Sequence, residues 1–172
     1  MFQDEAGFGR INKPKRCWCP KGCRPSVPCH HIREYTYAYA AVCPHDGEMV
    51  SLILPRTNSH CMSLFLAEVS NRFPNDYILM IADCAAWHTA KTLVIPHNIE
   101  LFPLLPYSPE LNPVENIWDE VREKGFKNEV FNSLSLVELR LCDTLCDLEN
   151  DTPRVHSIVA WDWITCISLT AK

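Results

Sequence analysis

Short apolar or alternating segments recur along the 172-residue chain and predict β-strands. Tyr35, Tyr37 and Tyr39 occupy alternate positions, which is typical of a strand with one buried face. The segment ending at Asp83 is apolar up to that residue, as expected for a strand buried on both faces. We predict five strands in total: residues 1–8, 35–42, 49–55, 77–83 and 99–105.

Apolar residues at helical spacing occupy most of the remaining chain. The predicted helices are residues 59–73, a short one within 85–96, and about 112–127, 134–149 and 153–168. We expect Ser59 to cap the first helix and Pro74 to end it. A hairpin followed by alternating strands and helices indicates an α/β fold, a mixed sheet of about five strands flanked by helices. We expect one domain over 1–172, with a core of about 1–127 followed by C-terminal helices over 128–172.

Composition adds that the chain can bury a core, because 47% of its residues are hydrophobic. No apolar segment has the length of a membrane span, and the first residues do not have the pattern of a signal peptide. We therefore expect a cytoplasmic protein without a membrane partner. Six of the ten cysteines lie in or beside apolar segments, and we expect most of the thiols to be reduced.

Charge is unevenly distributed, although the net charge of −5 alone argues against a free-standing nucleic-acid binder. Residues 110–151 contain eleven acids, whereas residues 10–33 contain none. The basic segment either contacts phosphates or is a solvated loop, and the sequence leaves both open. Its cationic residues are Arg10, Lys13, Lys15, Arg16, Lys21, Arg24 and Arg33.

The same segment carries a cluster of thiols and imidazoles that suggests zinc. Its spacing is not that of a pair of C-x₂-C knuckles, so we do not expect zinc there. The cluster consists of Cys17, Cys19, Cys23, Cys29, His30 and His31. A zinc-binding interaction module built on residues 17–31 is the alternative outside enzymology.

Three acids stand where an α/β sheet collects functional groups. Asp4 lies in the first strand, Asp83 ends the fourth, and Glu115 lies in the first turn of the helix that follows the fifth. If the first and fourth strands are neighbours, the three carboxylates meet. Their repulsion would be offset by two Mg²⁺ ions about 4 Å apart, an arrangement that cleaves phosphodiesters.

Each acid also has a structural explanation. Glu5 is a rival to Asp4, but strand alternation puts the two on opposite faces, so only one can serve. Asp83 suits a turn or a helix cap after a buried strand. Glu115 would be the third residue of a helix capped by Asn112 and opened by Pro113, where it could close a capping box.

Four sequence blocks follow one another along the chain. They are FQDEAGFG near the start, WCPKGCRP at 18–25, ADCAAWHTAK at 82–91 and PYSPELNPVENIW at 106–118, and IPHNIELFPLLP leads into the last and most specific one. Together they resemble the bacterial insertion-sequence family 630 of transposases, which are related to the mariner elements. The resemblance covers roughly residues 2–127. Cys84 departs from it, because the family has Asn there.

This resemblance implies an RNase H-like fold with a DDE active site, in which Asp4, Asp83 and Glu115 bind two Mg²⁺ or Mn²⁺ ions. It implies strand cleavage at transposon ends and transfer to a target, with DNA as the partner and a homodimer when full length. His88 and Lys91 would then lie near DNA, as would the basic residues Lys13, Lys15, Arg16, Lys21 and Arg24. We expect a bacterial, nucleoid-associated location.

Family members also carry N-terminal helix-turn-helix DNA-binding domains, and we expect this chain to lack them. The reason for this expectation is that only three residues precede Asp4 in the sequence. The alternative function is that of a degenerate transposase remnant, which folds or binds DNA without cutting it.

Overall fold

The computed structural model describes residues 1–12 and 14–166, and over these ranges it shows a five-stranded sheet with helices on both faces. The strands are β1 (Phe2–Ile11), β2 (His31–Val42), β3 (Met49–Leu54), β4 (Ile78–Ala82) and β5 (Ile99–Pro103). The helices are α1 (Ser59–Arg72), α2 (Val114–Gly125), α3 (Leu134–Glu149), α4 (Thr152–Val159) and α5 (Asp162–Thr165), with a single 3₁₀ turn at Pro109–Leu111.

The sheet is mixed, with the strand order β3-β2-β1-β4-β5. β1, β2 and β3 form an antiparallel meander, while β4 runs parallel to β1, and β5 runs parallel to β4. β1 is therefore the central strand. This agrees with the predicted α/β architecture of about five strands flanked by helices.

Apolar side chains form a separate core on each face of the sheet. On one face, α2 contributes the fully buried Ile117, Trp118 and Val121, which pack with α3 and α4 against β1 and β2. On the other face, α1 buries Phe65 and Leu66 against β2, β3 and β4. Each such buried side chain contributes about 1.5–3 kcal/mol, which fixes both helix layers on the sheet.

The short helix predicted within 85–96 was wrong. These residues form successive turns, in which His88 N–H donates to the Ala85 carbonyl oxygen and Leu93 N–H donates to that of Ala90. Contacts of the Trp87 and His88 side chains with a buried carboxylate on β1 hold the segment in this form. Tertiary hydrogen bonds therefore override a helix that would be too short to be stable alone.

The single helix predicted over 153–168 was also wrong, because α4 ends at Val159 and the much shorter α5 follows. Ala160 between them has ψ 69°, outside the helical range. Residues 167 and 168 of that prediction lie outside the described ranges. The predicted cap of α1 was shifted by one residue, since Asn58 Oδ1 accepts from Cys61 N–H while Ser59 bonds to the Thr92 hydroxyl.

In the part of the chain that is described, no helix is both long and apolar enough to cross a membrane.

Candidate active site

Strand alternation places Asp4 and Glu5 on opposite faces of β1, as predicted. Asp4 faces the α2 layer, where Trp118 Nε1–H donates to its Oδ2 over 2.8 Å. Glu5 points to the other face, where its Oε1 accepts from Trp87 Nε1–H over 3.2 Å. The two neighbouring carboxylates therefore belong to two different environments.

Asp83 stands beside Asp4 through the register of two parallel strands. Phe2 of β1 pairs with Ile81 of β4, and Asp4 and Asp83 each lie two residues further along the chain. Adjacent strands are about 4.8 Å apart, so the two backbones are neighbours at this point. β4 ends at Ala82, which makes Asp83 the first residue beyond the strand.

The start of α2 is fastened to β1 directly before Asp4. Asn112 is buried, and its Nδ2–H donates to the backbone oxygen of Gln3 over 3.0 Å. Its Oδ1 accepts from Val114 N–H over 3.2 Å and so also caps the helix. The predicted capping box does not form, because the N–H of Asn112 donates to Pro109 and not to Glu115. The carboxylate of Glu115 is therefore not used as a cap.

The pKa of Asp4 is raised to about 7. Burial is the largest cause, because it disfavours the charged carboxylate. The Trp118 hydrogen bond lowers the pKa, whereas the charges of Glu115 and Glu5 raise it further.

His88 lies between Asp83 and Glu5. Its Nδ1 is 2.9 Å from the backbone oxygen of Asp83 and 2.9 Å from Asp83 Oδ1, and its Nε2 is 3.0 Å from Glu5 Oε1. The side chains of His88 and Glu5 are each 4% exposed, whereas that of Asp83 is 54% exposed. Burial lowers the pKa of His88, but the hydrogen bond and charge of Glu5, together with Asp83, outweigh burial and raise it.

Across the described residues, no group of three or more His, Cys, Asp or Glu side chains is arranged to hold a metal ion. One oxygen of Asp83 is instead bonded within the protein, since its Oδ1 contacts His88 and accepts from Ala85 N–H over 3.0 Å. Its Oδ2 takes no part in these contacts. The donors still suit Mg²⁺ or Mn²⁺, because three carboxylates from neighbouring backbones supply the hard oxygen ligands that these ions prefer.

The residues predicted to contact DNA divide into exposed and buried groups. Lys15, Arg16, Lys21, Arg24 and Lys91 are exposed, and Lys13 lies outside the described residues. Lys15 is also 3.5 Å from Glu123 of α2. His88 is buried, and both its ring nitrogens face protein atoms, so its geometry favours a role inside the protein over a phosphate contact.

The cysteine and histidine cluster is an open, exposed chain segment. Cys17, Cys19, Cys23 and Cys29 are all exposed free thiols. Cys29 Sγ lies 3.7 Å from His31 Nε2, but two ligands are fewer than the three or four that a zinc site in a protein requires. The expectation that zinc does not bind there stays a prediction.

Sequence reasoning missed the residues that support the acids. Trp118 is a core residue and only 1% exposed, yet its indole N–H is also the hydrogen-bond donor to Asp4. Glu5 was considered only as a rival ligand. A buried indole must find an acceptor, and an acid next to Asp4 must face the opposite core, so both roles had a signal in the sequence.

A family model for DDE superfamily endonucleases matches residues 1–138. The chain belongs to this family. An uncharacterized protein of Sinorhizobium fredii (strain NBRC 101917 / NGR234), y4pE/y4sA, is 33% identical over 130 residues, which cover 75% of this chain and 96% of that protein. The prediction of an endonuclease-class enzyme is thus confirmed by its family.

Solved structures of Mos1 transposase resemble this DDE endonuclease domain in fold. The catalytic domain of Mos1 mariner transposase superposes with a TM-score of 0.51 at 15% identity, over 92% of this chain and 79% of that one. The Mos1 mariner paired end complex with Mn gives 0.59 at 16%, over 93% and 55%, and the Mos1 strand transfer complex gives 0.58 at 17%, over 93% and 54%. The chain thus spans about half the length of these larger Mos1 chains, and the predicted RNase H-like fold is confirmed.

Proposed function

We propose that this chain is the catalytic domain of a transposase, which cleaves DNA at transposon ends and transfers the strand to a target. One observation carries the proposal. Asp4 and Asp83 each lie two residues beyond the paired Phe2 and Ile81 of two neighbouring parallel strands, and Asn112 fastens the start of the helix that bears Glu115 to β1. The resemblance of four sequence blocks to mariner-related transposases supports this assignment.

In this proposal Asp4, Asp83 and Glu115 are the catalytic residues and hold two divalent ions, Mg²⁺ or Mn²⁺. The Mos1 paired end complexes are described with Mn and with Mg, which supports the choice of ion. When bound, the ions would activate a water or a 3′-hydroxyl and stabilise the leaving oxygen of the phosphodiester. They would also offset the repulsion that raises the pKa of Asp4.

The protein's own part in the reaction is to fix the carboxylates. Trp118 donates a hydrogen bond to Oδ2 of Asp4 and so orients this carboxylate. The Asn112 contact with Gln3 sets the distance between Glu115 and β1. Rigid placement of this kind keeps a ligand within about 0.5 Å of its working position.

DNA is the proposed partner, with homodimer formation in the full-length protein. The exposed cations Arg16, Lys21 and Arg24 would contact phosphates, because cations on an accessible segment release counterions when they bind DNA. Lys91 lies on the turn segment that follows Asp83 and would serve the same end. Recognition of a particular DNA sequence is not part of this proposal.

The deciding experiment is Mn²⁺-dependent nicking of supercoiled plasmid by the wild-type chain and by Asp83→Ala. We expect nicking that falls at least about 10³-fold in the variant, because the two ions would not be held without one of the three carboxylates proposed to bind them. Asp76→Ala, an exposed acid just before β4, is the matched control and should nick as well as wild type. Equal nicking by Asp83→Ala and wild type, or none by either, would favour the degenerate remnant.

A further inference from the structure

Of the two acids on β1, Asp4 is a proposed metal ligand, whereas Glu5 is buried on the other face of the sheet and has a different role. Glu5 is almost completely buried, and burying an unpaired carboxylate costs several kcal/mol. Its Oε1 accepts a hydrogen bond from Trp87 Nε1–H and lies 3.0 Å from His88 Nε2. Two side chains of one short segment thus contact the same buried carboxyl group, which fixes the position of that segment on the sheet.

The side chains that contact Glu5 belong to the segment that directly follows Asp83. His88 Nδ1 is 2.9 Å from the backbone oxygen and from Oδ1 of Asp83, and its Nε2 is 3.0 Å from Glu5 Oε1. The ring therefore forms a bridge from the interior of β1 to the first residue beyond β4. The bridge thus connects one face of the sheet with the C-terminal end of β4, next to the backbone of Asp4 on β1.

The bridge fixes one oxygen of Asp83 and spares the other. Oδ1 is held by His88 and by Ala85 N–H, and Oδ2 takes no part in those contacts. A carboxylate with more than half of its surface exposed and no such restraint would rotate freely about its side-chain bonds. Held in this way, Asp83 presents a single oxygen in a set direction.

We propose that Glu5 and His88 are positioning residues, which orient the Asp83 carboxylate for the divalent ion through the chain Glu5–His88–Asp83. This inference rests on the proposed function. In this inference Glu5 supports a metal ligand and does not bind the metal itself. His88 contacts protein atoms, whereas the sequence analysis placed it near DNA. Partners of this kind behind a ligating carboxylate usually change metal affinity about 10- to 100-fold when removed.

The test measures Mn²⁺ affinity directly, by the loss of the free-ion electron paramagnetic resonance signal, with no DNA present. We expect Glu5→Gln and His88→Ala to bind Mn²⁺ at least about 10-fold more weakly than wild type. His88→Asn should fall between, because its amide can still donate near the position of Nδ1 but does not reach Glu5. Glu100→Gln and His97→Ala, exposed residues on and next to β5, are the matched controls and should bind as wild type does.

Thermal unfolding distinguishes a positioning role of Glu5 and His88 from a role in folding stability alone. Affinities are compared only for variants that are fully folded at the assay temperature, and a merely structural role would lower the melting temperature without lowering the Mn²⁺ affinity of the folded protein. If Glu5→Gln does not fold, Trp87→Phe replaces it, because this change removes one hydrogen bond to Glu5 and leaves the carboxylate in place. Weakened Mn²⁺ binding by folded Trp87→Phe supports the inference, and unchanged binding overturns it.

A second measurement detects the response of His88 to metal in the wild-type protein. Mg²⁺ added to the wild-type chain should shift the imidazole ¹⁵N resonances of His88, assigned by their loss in His88→Ala, and should leave them in place in Asp83→Ala. Mn²⁺ binding that depends on Asp83 but is equal in wild type, Glu5→Gln and His88→Ala would overturn this inference and leave the proposed function standing. Absence of any Mn²⁺ binding that depends on Asp83 would overturn both.

Discussion

The acids of the sheet and the cations of residues 14–30 are held in opposite ways. Asp4 is bonded to a buried indole, and Asn112 fixes the start of the helix that carries Glu115. The cations stand on an exposed segment that is fastened mainly at its base. There the side chain of Asn12 bonds to Pro28 and His30, and that of Asn128 bonds to the backbone of Lys15.

This difference separates two kinds of function. Metal-assisted chemistry depends on the exact position of the ligands, so they are held by burial and by specific hydrogen bonds even though burial destabilises a charged group. Phosphate binding depends on accumulated charge, so exposed cations on a loosely held segment suffice. Single substitutions should therefore have large effects among the acids and their supports, and small effects, dependent on salt, among the cations.

The largest expected contrast is at Asp4. Asp4→Asn should reduce Mn²⁺-dependent nicking at least about 10³-fold, because an amide is a poor ligand for a hard ion. The same change should raise the stability of the metal-free protein at pH 8, because it removes a buried charge that Glu115 and Glu5 repel. The stabilisation should be on the order of a few kcal/mol, measured by urea unfolding in the presence of EDTA.

The pH dependence of folding stability tests whether burial raises the pKa of Asp4. Its pKa rises from 3.8 to about 7 on folding, so between these values the folded state binds the proton more tightly than the unfolded chain. Wild type should therefore lose stability relative to Asp4→Asn as pH rises through that window, and the difference should level off above it. Asp76→Asn, which makes the same chemical change at an exposed position, is the control for the loss of one carboxyl group. A difference between wild type and Asp4→Asn that stays constant with pH would contradict the burial of Asp4.

A smaller effect is expected at the support of Glu115. Asn112→Ala removes the bond to Gln3 and the cap on Val114 N–H, and it should cost about 1–3 kcal/mol of folding stability. Nicking by the folded variant should fall roughly 10-fold, because the helix start that carries Glu115 is released from β1. Asn150→Ala is the matched control, since it removes an exposed side-chain bond at the end of α3. Full nicking by a destabilised Asn112→Ala would show that this anchor serves folding alone.

The sequence was sufficient to predict that Asp4 lies on a strand and that Asp83 stands at the end of one, because strand periodicity is a local rule. That β1 and β4 are neighbours was only a condition in the sequence analysis, and the structure pairs Phe2 of β1 with Ile81 of β4. The prediction of α3 over 134–149 agrees with the structure at both ends for the same reason, since apolar spacing and Ser133 as its cap define it.

The supports could not be predicted in the same way, because they depend on contacts between distant segments. The turns at 85–96 have the composition of a short helix, yet Trp87 and His88 are bonded to a carboxylate more than 80 residues away in sequence. Asn112 has the sequence pattern of a helix cap, but its amide also reaches Gln3 on the central strand. Neither partner is visible until the sheet is assembled.

The smallest effect is expected in the basic segment, and it decides between a DNA contact and a solvated loop. Lys21→Ala or Arg24→Ala alone should weaken binding to non-specific duplex DNA only a few-fold at low salt, and the double variant somewhat more. The slope of log affinity against log salt should fall by about 1 for each cation that no longer reaches a phosphate, measured by fluorescence anisotropy with Ca²⁺ in place of a catalytic ion. Arg56→Ala, an exposed cation just beyond β3, is the control for charge alone. If the double variant keeps the wild-type salt slope, the segment is a solvated loop, and the cations that bind DNA lie elsewhere.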